Sequence, residues 1–196
     1  MKRVQRVLKA EGYETLNYDY PSRNKTIKEH GADLADALKE EAARSPGQPI
    51  HFITHSMGGL VLRAALNDPG CPDEAKMGRA VLMSPPNQGS AFGRLLGQFK
   101  PVKKAIGPEA GKELTTRTNF DDIGEFPDSV EVLVISGTGG WNPAIEGAND
   151  RVVGYDEGCL NTYHHHMAIP TVHSVMMFNE SVIFNAVRFI SLSSQA

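Results

Sequence analysis

Only two cysteines, Cys71 and Cys159, occur among the 196 residues. Two thiols cannot staple a disulfide scaffold, and their spacing does not say whether they meet. Charge of either sign is also scarce in excess. Twenty Lys and Arg stand against 23 Asp and Glu, a net charge of −3 with a pI near 6.2. That balance gives no basic patch on which nucleic-acid binding would rest. No apolar run approaches the roughly twenty residues of a membrane helix, so no stable membrane span is expected. The opening MKRVQRVLKAEGY alternates basic and apolar residues without the apolar centre of a secretory signal. A cytoplasmic location is the expectation. Repeats and low-complexity linkers are absent too, and the length fits a single domain, 1–196, with a sizeable core.

What is present is an alternation of strand and helix patterns. Val4, Val7 and Leu8 followed by Gly12 read as an amphipathic helix with its stop. Residues 14–20 (ETLNYDY) read as a strand ending at Pro21. Residues 27–43 read as a helix, with Ile27, Leu34, Ala37 and Leu38 on one face. Residues 79–83 (RAVLM) and 130–136 (VEVLVIS) are short apolar strands, each closed by a turn. A final helix starts near Glu180, with Val182, Ile183, Ala186, Val187 and Ile190 spaced toward a core. This order predicts an α/β fold with a mostly parallel sheet covered by helices on both faces. Residues 91–128 are too long for a simple crossover. They carry Phe92, Leu95, Leu96, Phe99, Val102, Ile106 and Leu114 amid Lys100, Lys103 and Lys104, and predict a helical cap insertion. An elongated surface crossover is the plainer alternative.

The densest information lies in residues 49–65, PIHFITHSMGGLVLRAA. Ile50, Phe52 and Ile53 form a strand, and Leu60 onward continues as helix, with Ser56 at the corner. Such a strand–serine–helix turn is a nucleophile elbow, which lifts a hydroxyl clear of the sheet. Strand and helix nearly touch there, so small residues are needed. Gly58 meets that need and Gly59 gives further room, while Thr54 replaces the usual first glycine. A serine at this place would also suit a helix N-cap. The strand before it, the helix after it and the paired glycines together favour the nucleophile.

A serine nucleophile needs a histidine to take its proton and a carboxylate to orient that histidine. In this fold class the order along the chain is serine, acid, histidine. His173, just before the last helix, is the chosen base, and Asp150, in a turn after the last strand pattern, is the chosen acid. Asp156 and Glu146 are the alternative acids, whereas Asp121 and Asp122 fall too early. His164, His165 and His166 are rival histidines. Neighbouring residues point in different directions and no Asp, Glu or Cys set sits at ligand spacing beside them, so no metal is expected and the trio reads as loop. His55 is expected to point away from the nucleophile; His30 and His51 read as structural.

Four segments together resemble bacterial α/β-hydrolases of the lipase and esterase type, in the class that includes GPI-inositol-deacylase-like proteins. They are HFITHSMGGLVLR around Ser56, VLMSPPNQGS from Val81 to Ser90, GANDRVV around Asp150 and PTVHSVMM around His173. The resemblance spans roughly residues 4–190. It implies an α/β-hydrolase fold, a Ser56–His173–Asp150 triad, and an oxyanion donor in the Met57 N–H. His55, Pro86 and Asn87 would be substrate-binding. Arg151 stands where the family has glycine after the acid. The family also opens with an apolar strand ending in His-Gly, which supplies the second oxyanion donor. That strand has no counterpart here, and it would lie between residues 14–20 and the elbow strand. Truncation is preferred over completion by another chain or a rewired sheet.

The expected activity is cleavage of carboxylic esters, of a lipid or another apolar alcohol, through an acyl-enzyme, without cofactor or metal. Acyl transfer or thioester cleavage would use the same residues. An inactive remnant that binds apolar ligands or a partner chain is the alternative from another class.

Overall fold

The computed structural model describes residues 1–99 and 108–192. Its sheet has four parallel strands: β1 (Phe52–His55), β2 (Arg79–Met83), β3 (Glu131–Gly137) and β4 (His165–Ile169). They lie side by side in chain order. The α-helices among the described residues are α1 (Lys2–Ala10), α2 (Ile27–Arg44), α3 (Met57–Leu66), α4 (Ala91–Leu96), α5 (Ala110–Thr116) and α6 (Glu180–Ser191). The expected α/β-hydrolase architecture is therefore present, a parallel sheet with helices on both faces.

Strand periodicity explains the two layers. In register, Ala80 stands beside Val132 and Val81 beside Leu133, so side chains of one parity share a face. Ala80, Leu82, Val132 and Val134 pack with Ala35 and Leu38 of α2 and with Leu62, Ala65 and Leu66 of α3. Val81, Met83, Leu133 and Ile135 pack against Val182, Ala186 and Ile190 of α6 on the other side. β2 is buried along its whole length because both faces and both edges are covered. Each fully buried aliphatic side chain contributes roughly 1.5–3 kcal/mol by leaving water. Helix α2 starts sharply because Thr26 and Glu29 form a reciprocal capping box.

Two element expectations are corrected. Residues 14–20 form no strand. A strand needs a hydrogen-bonding neighbour, and here a cleft of about 760 Å³ separates this segment from the free edge of β1. Leu8, Tyr13, Leu16 and Tyr20 border it on one side, Phe52 and Ile53 on the other. With one edge open, β1 is only half-buried. Conversely, two of the histidine trio are not loop, while His164 lies just before the strand. His165 and His166 open β4, and Leu133 pairs with His165 and Gly137 with Ile169. Backbone pairing to β3, rather than an apolar pattern, makes this strand.

In the region expected as a cap, Ala110, Phe120 and Ile123 pack on Ile27, Leu60 and Val61, with Met57 and Leu114 at the edge of the cluster. The segment therefore docks on α2 and on the N-terminal half of α3. Lys100, Val102, Lys103, Lys104 and Ile106 lie outside the described residues.

Candidate active site

Strand β1 runs into α3 through Ser56, which holds φ 55° and ψ −129°. A Cβ-bearing residue in such a region costs on the order of 1–3 kcal/mol, supplied by the packing of strand and helix around it. The Ser56 N–H donates to the Met83 carbonyl of β2 at 2.9 Å. Its side chain does not cap α3. The tight approach falls on Gly59 rather than Gly58, a correction to the sequence reading. A Cβ on Gly59 would lie 3.0 Å from Pro85 Cβ, whereas one on Gly58 would meet Thr54 Cβ at an ordinary 3.5 Å. Thr54 fits in place of glycine because the residue facing it is Gly58.

The Ser56 hydroxyl turns to His173, with 3.0 Å between Oγ and Nε2. His173 Nδ1 lies 2.7 Å from Asp150 Oδ2. The His173 N–H also donates to the Asp150 carbonyl at 3.0 Å, so backbone and side chain fix the pair together. Asp150 is fully buried. Its Oδ1 accepts the N–H groups of Val152 at 2.9 Å and Val153 at 2.7 Å. Burial pushes its pKa up, but the hydrogen bond and charge of His173, the Val153 N–H and the Ser84 hydroxyl outweigh it. The net shift is below the ordinary aspartate value. Asp150 therefore stays an anion facing an imidazole.

The turn that carries Asp150 needs a left-handed residue, and Arg151 supplies it at φ 83°. Its N–H donates to Asn149 Oδ1 at 3.1 Å and its carbonyl accepts from Asn142 Nδ2 at 2.7 Å. These bonds hold a conformation that favours glycine. The other acids considered, Glu146 and Asp156, are exposed.

His55 donates through Nε2 to the His173 carbonyl at 3.1 Å, and the two rings lie 4.7 Å apart. Burial first, then the neighbouring His173, pushes its pKa down to about 4. His55 is thus a neutral donor at pH 7 that supports His173 from beneath, and it borders the cleft beside β1. Met57 is the first residue of α3, where helix N–H groups have no intrahelical acceptor.

Pro86 and Asn87 lie in the turn after β2. Both are buried. Asn87 Nδ2 donates to the Gly158 carbonyl at 2.8 Å and its Oδ1 faces Arg63 Nη1 at 3.5 Å. Asn87 ties the turn after β2 to the 156–158 turn. Pro86 closes the same turn by accepting the Gly89 N–H at 3.0 Å. Ser84 was not foreseen. It sits at φ 44° at the end of β2, accepts the Gly137 N–H at 3.1 Å and faces Asp150. Its place before a proline pair was the one available signal.

The family model for the alpha/beta hydrolase family matches residues 2–173, from the start of α1 to His173. The chain belongs to that family. Among solved structures, this member resembles the Bacillus licheniformis lipase BlEst2 in its propeptide form. The TM-score is 0.70 at 18% identity, covering 90% of this chain and 43% of that one. The mature form of the same lipase gives 0.63 at 20% identity, covering 87% and 73%. Phospholipase PlaB from Legionella pneumophila gives 0.67 at 16% identity, covering 99% and 56%. The chain thus spans less than half the length of the first of these and a little over half that of the phospholipase. These likenesses are likenesses of fold. No curated protein matches the sequence.

Proposed function

We propose that this chain is a serine hydrolase that cleaves carboxylic esters of apolar alcohols or lipids. One observation carries the reading: a strained Ser56 whose hydroxyl is spent on His173 at 3.0 Å, with Asp150 behind it at 2.7 Å. A serine serving only as a helix cap would turn its oxygen to the helix N–H groups instead.

In this reading Ser56 Oγ attacks the acyl carbonyl and its proton passes to His173 Nε2. Asp150 keeps the remaining proton on Nδ1 and stabilises the imidazolium. The Met57 N–H, at the positive end of α3, donates to the developing oxyanion. The imidazolium then protonates the departing alcohol, which leaves an acyl group on Ser56. Water gives its proton to His173, attacks the acyl carbon and restores the serine.

The substrate side of the proposal rests on apolar surface. Residues 91–128 are proposed as the cap, with Leu95 and Phe99 presented outward and the segment seated beside Met57. Lipases among the structural neighbours agree with an ester of this kind.

Labelling with a fluorophosphonate probe tests the proposal. Modification of Ser56, identified by peptide mass, is expected, with none in His173→Ala. A folded chain that takes no label, or takes it elsewhere, would refute the proposal.

A further inference from the structure

The histidine trio holds a second arrangement that the proposed hydrolysis does not use. His166 is the second residue of β4 and His164 lies just before the strand, with the two rings 5.5 Å apart. The chain reaches β4 from the 156–158 turn, and Cys159, which ends that turn, comes back to the same place. The side-chain donor atoms of Cys159, His164 and His166 all lie within 4.8 Å of one another.

We propose that Cys159, His164 and His166 form a zinc site with a fourth position open to water. Tetrahedral zinc with bonds of about 2.3 Å to sulfur and 2.0–2.1 Å to nitrogen places the sulfur roughly 3.5 Å from each nitrogen. Cys159 Sγ stands 3.6 Å from His166 Nδ1, which matches that edge. The donor atom of His164 lies within 4.8 Å of the other two, and its ring sits half-exposed before the strand.

The surroundings orient both imidazoles as metal ligands require. His164 Nδ1 lies 2.8 Å from the Thr162 carbonyl. A carbonyl only accepts, so Nδ1 carries the proton and Nε2 has the free lone pair. His166 Nε2 lies 2.9 Å from Ser136 Oγ on β3, which leaves Nδ1 facing the thiol. Tyr155 stacks on His166 at 4.0 Å and 3° and fixes the plane of its ring. The remaining partner of the Cys159 thiol is a weak one, the Tyr155 carbonyl at 3.9 Å. One thiolate and two imidazoles suit zinc, a borderline-soft cation, better than magnesium or calcium. On binding, the thiol proton leaves to solvent and the sulfur bonds as thiolate.

Such an ion would pin the 155–164 loop to β3 and β4. Ser136 precedes Gly137, against which the Asp150 side chain packs, so the pin lies just behind the candidate active site. The site does not depend on hydrolysis and its test does not read activity.

The experiment is titration of the tag-free chain with zinc against a chromophoric chelator, and with cobalt(II) followed by absorption. The expected result is one equivalent of metal per chain, a thiolate-to-cobalt charge-transfer band in the near ultraviolet, and a higher melting temperature with zinc. Cys159→Ser abolishes the band and Cys71→Ser, a buried thiol elsewhere, keeps it. Ser136→Ala, which touches no metal, weakens binding by about ten- to a hundredfold through His166. No uptake by the folded wild-type chain overturns the proposal. So does a band that survives Cys159→Ser or disappears with Cys71→Ser.

Discussion

Ser56 Oγ and His173 Nε2 stand 3.0 Å apart, although 117 residues separate them in sequence. The first leaves β1 and the second opens the short helix after β4, so the two outer strands of the sheet deliver the pair. That hydroxyl is withheld from its own helix, and Ser56 is held at positive φ to do so. Stability and the proposed chemistry therefore oppose each other at one residue.

Replacing Ser56 by glycine separates the two. Glycine accepts φ 55° without strain and loses only a hydroxyl that stabilises no helix end. Ser56→Gly is expected to be more stable by about 1 kcal/mol, read as a higher urea midpoint, and to lose all fluorophosphonate labelling. A destabilised Ser56→Gly would show that the hydroxyl has a structural task.

Asp150→Asn keeps the size of the side chain but reverses part of its hydrogen bonding. The amide oxygen takes the Val152 and Val153 N–H groups, which puts the NH₂ against His173 Nδ1. His173 must then carry its proton on Nε2, facing Ser56, where it cannot act as base. A fall of about 10⁴ in kcat is expected with the fold retained. Circular dichroism and initial rates on one sample check both halves.

His55 gives a pH dependence whose sign is fixed. Its folded pKa is depressed to about 4 from the ordinary 6.5. Between those values the unfolded chain holds a proton that the folded chain does not. Its contribution is fully present above pH 6.5 and is lost as pH falls toward 4, by up to about 1.4 kcal/mol per pH unit. His55→Gln, still a neutral donor, is expected to lose less stability between pH 7 and pH 4.5. Urea midpoints at the two pH values measure this, and equal losses in both proteins would contradict it.

Arg151 tests the turn behind the acid. Its φ of 83° costs a Cβ-bearing residue about 1–2 kcal/mol, partly offset in glycine by unfolded-chain entropy. Arg151→Gly is expected to gain up to about 1 kcal/mol, and Arg151→Val to lose about 1–3 kcal/mol. Thermal melts of the two variants, moving in opposite directions, are the check.

Legibility in the sequence followed the range of the interaction that made each element. The elbow was readable because strand, turn and helix signals are all local to residues 50–65. The α2 and α6 spans were readable from helical spacing, whereas the Thr26–Glu29 capping box that starts α2 emerged only in the structure. Residues 14–20 have strand composition yet no strand, because that state depends on a neighbour β1 does not provide. β4 was hidden for the converse reason, since His165 and His166 lack an apolar signature and gain their ladder from β3. Pro86 and Asn87 matched a family turn, but burial of the Asn87 amide against Gly158 and Arg63 is a tertiary fact. Cys159 could not be placed beside His164 and His166 until the 156–158 turn folded back.

The most direct measurement is p-nitrophenyl butyrate hydrolysis by the 196-residue chain beside Ser56→Ala. The expected result is measurable turnover that falls by at least about a thousandfold in the variant. Turnover equal in the two proteins, or none from a folded wild-type chain, would contradict it.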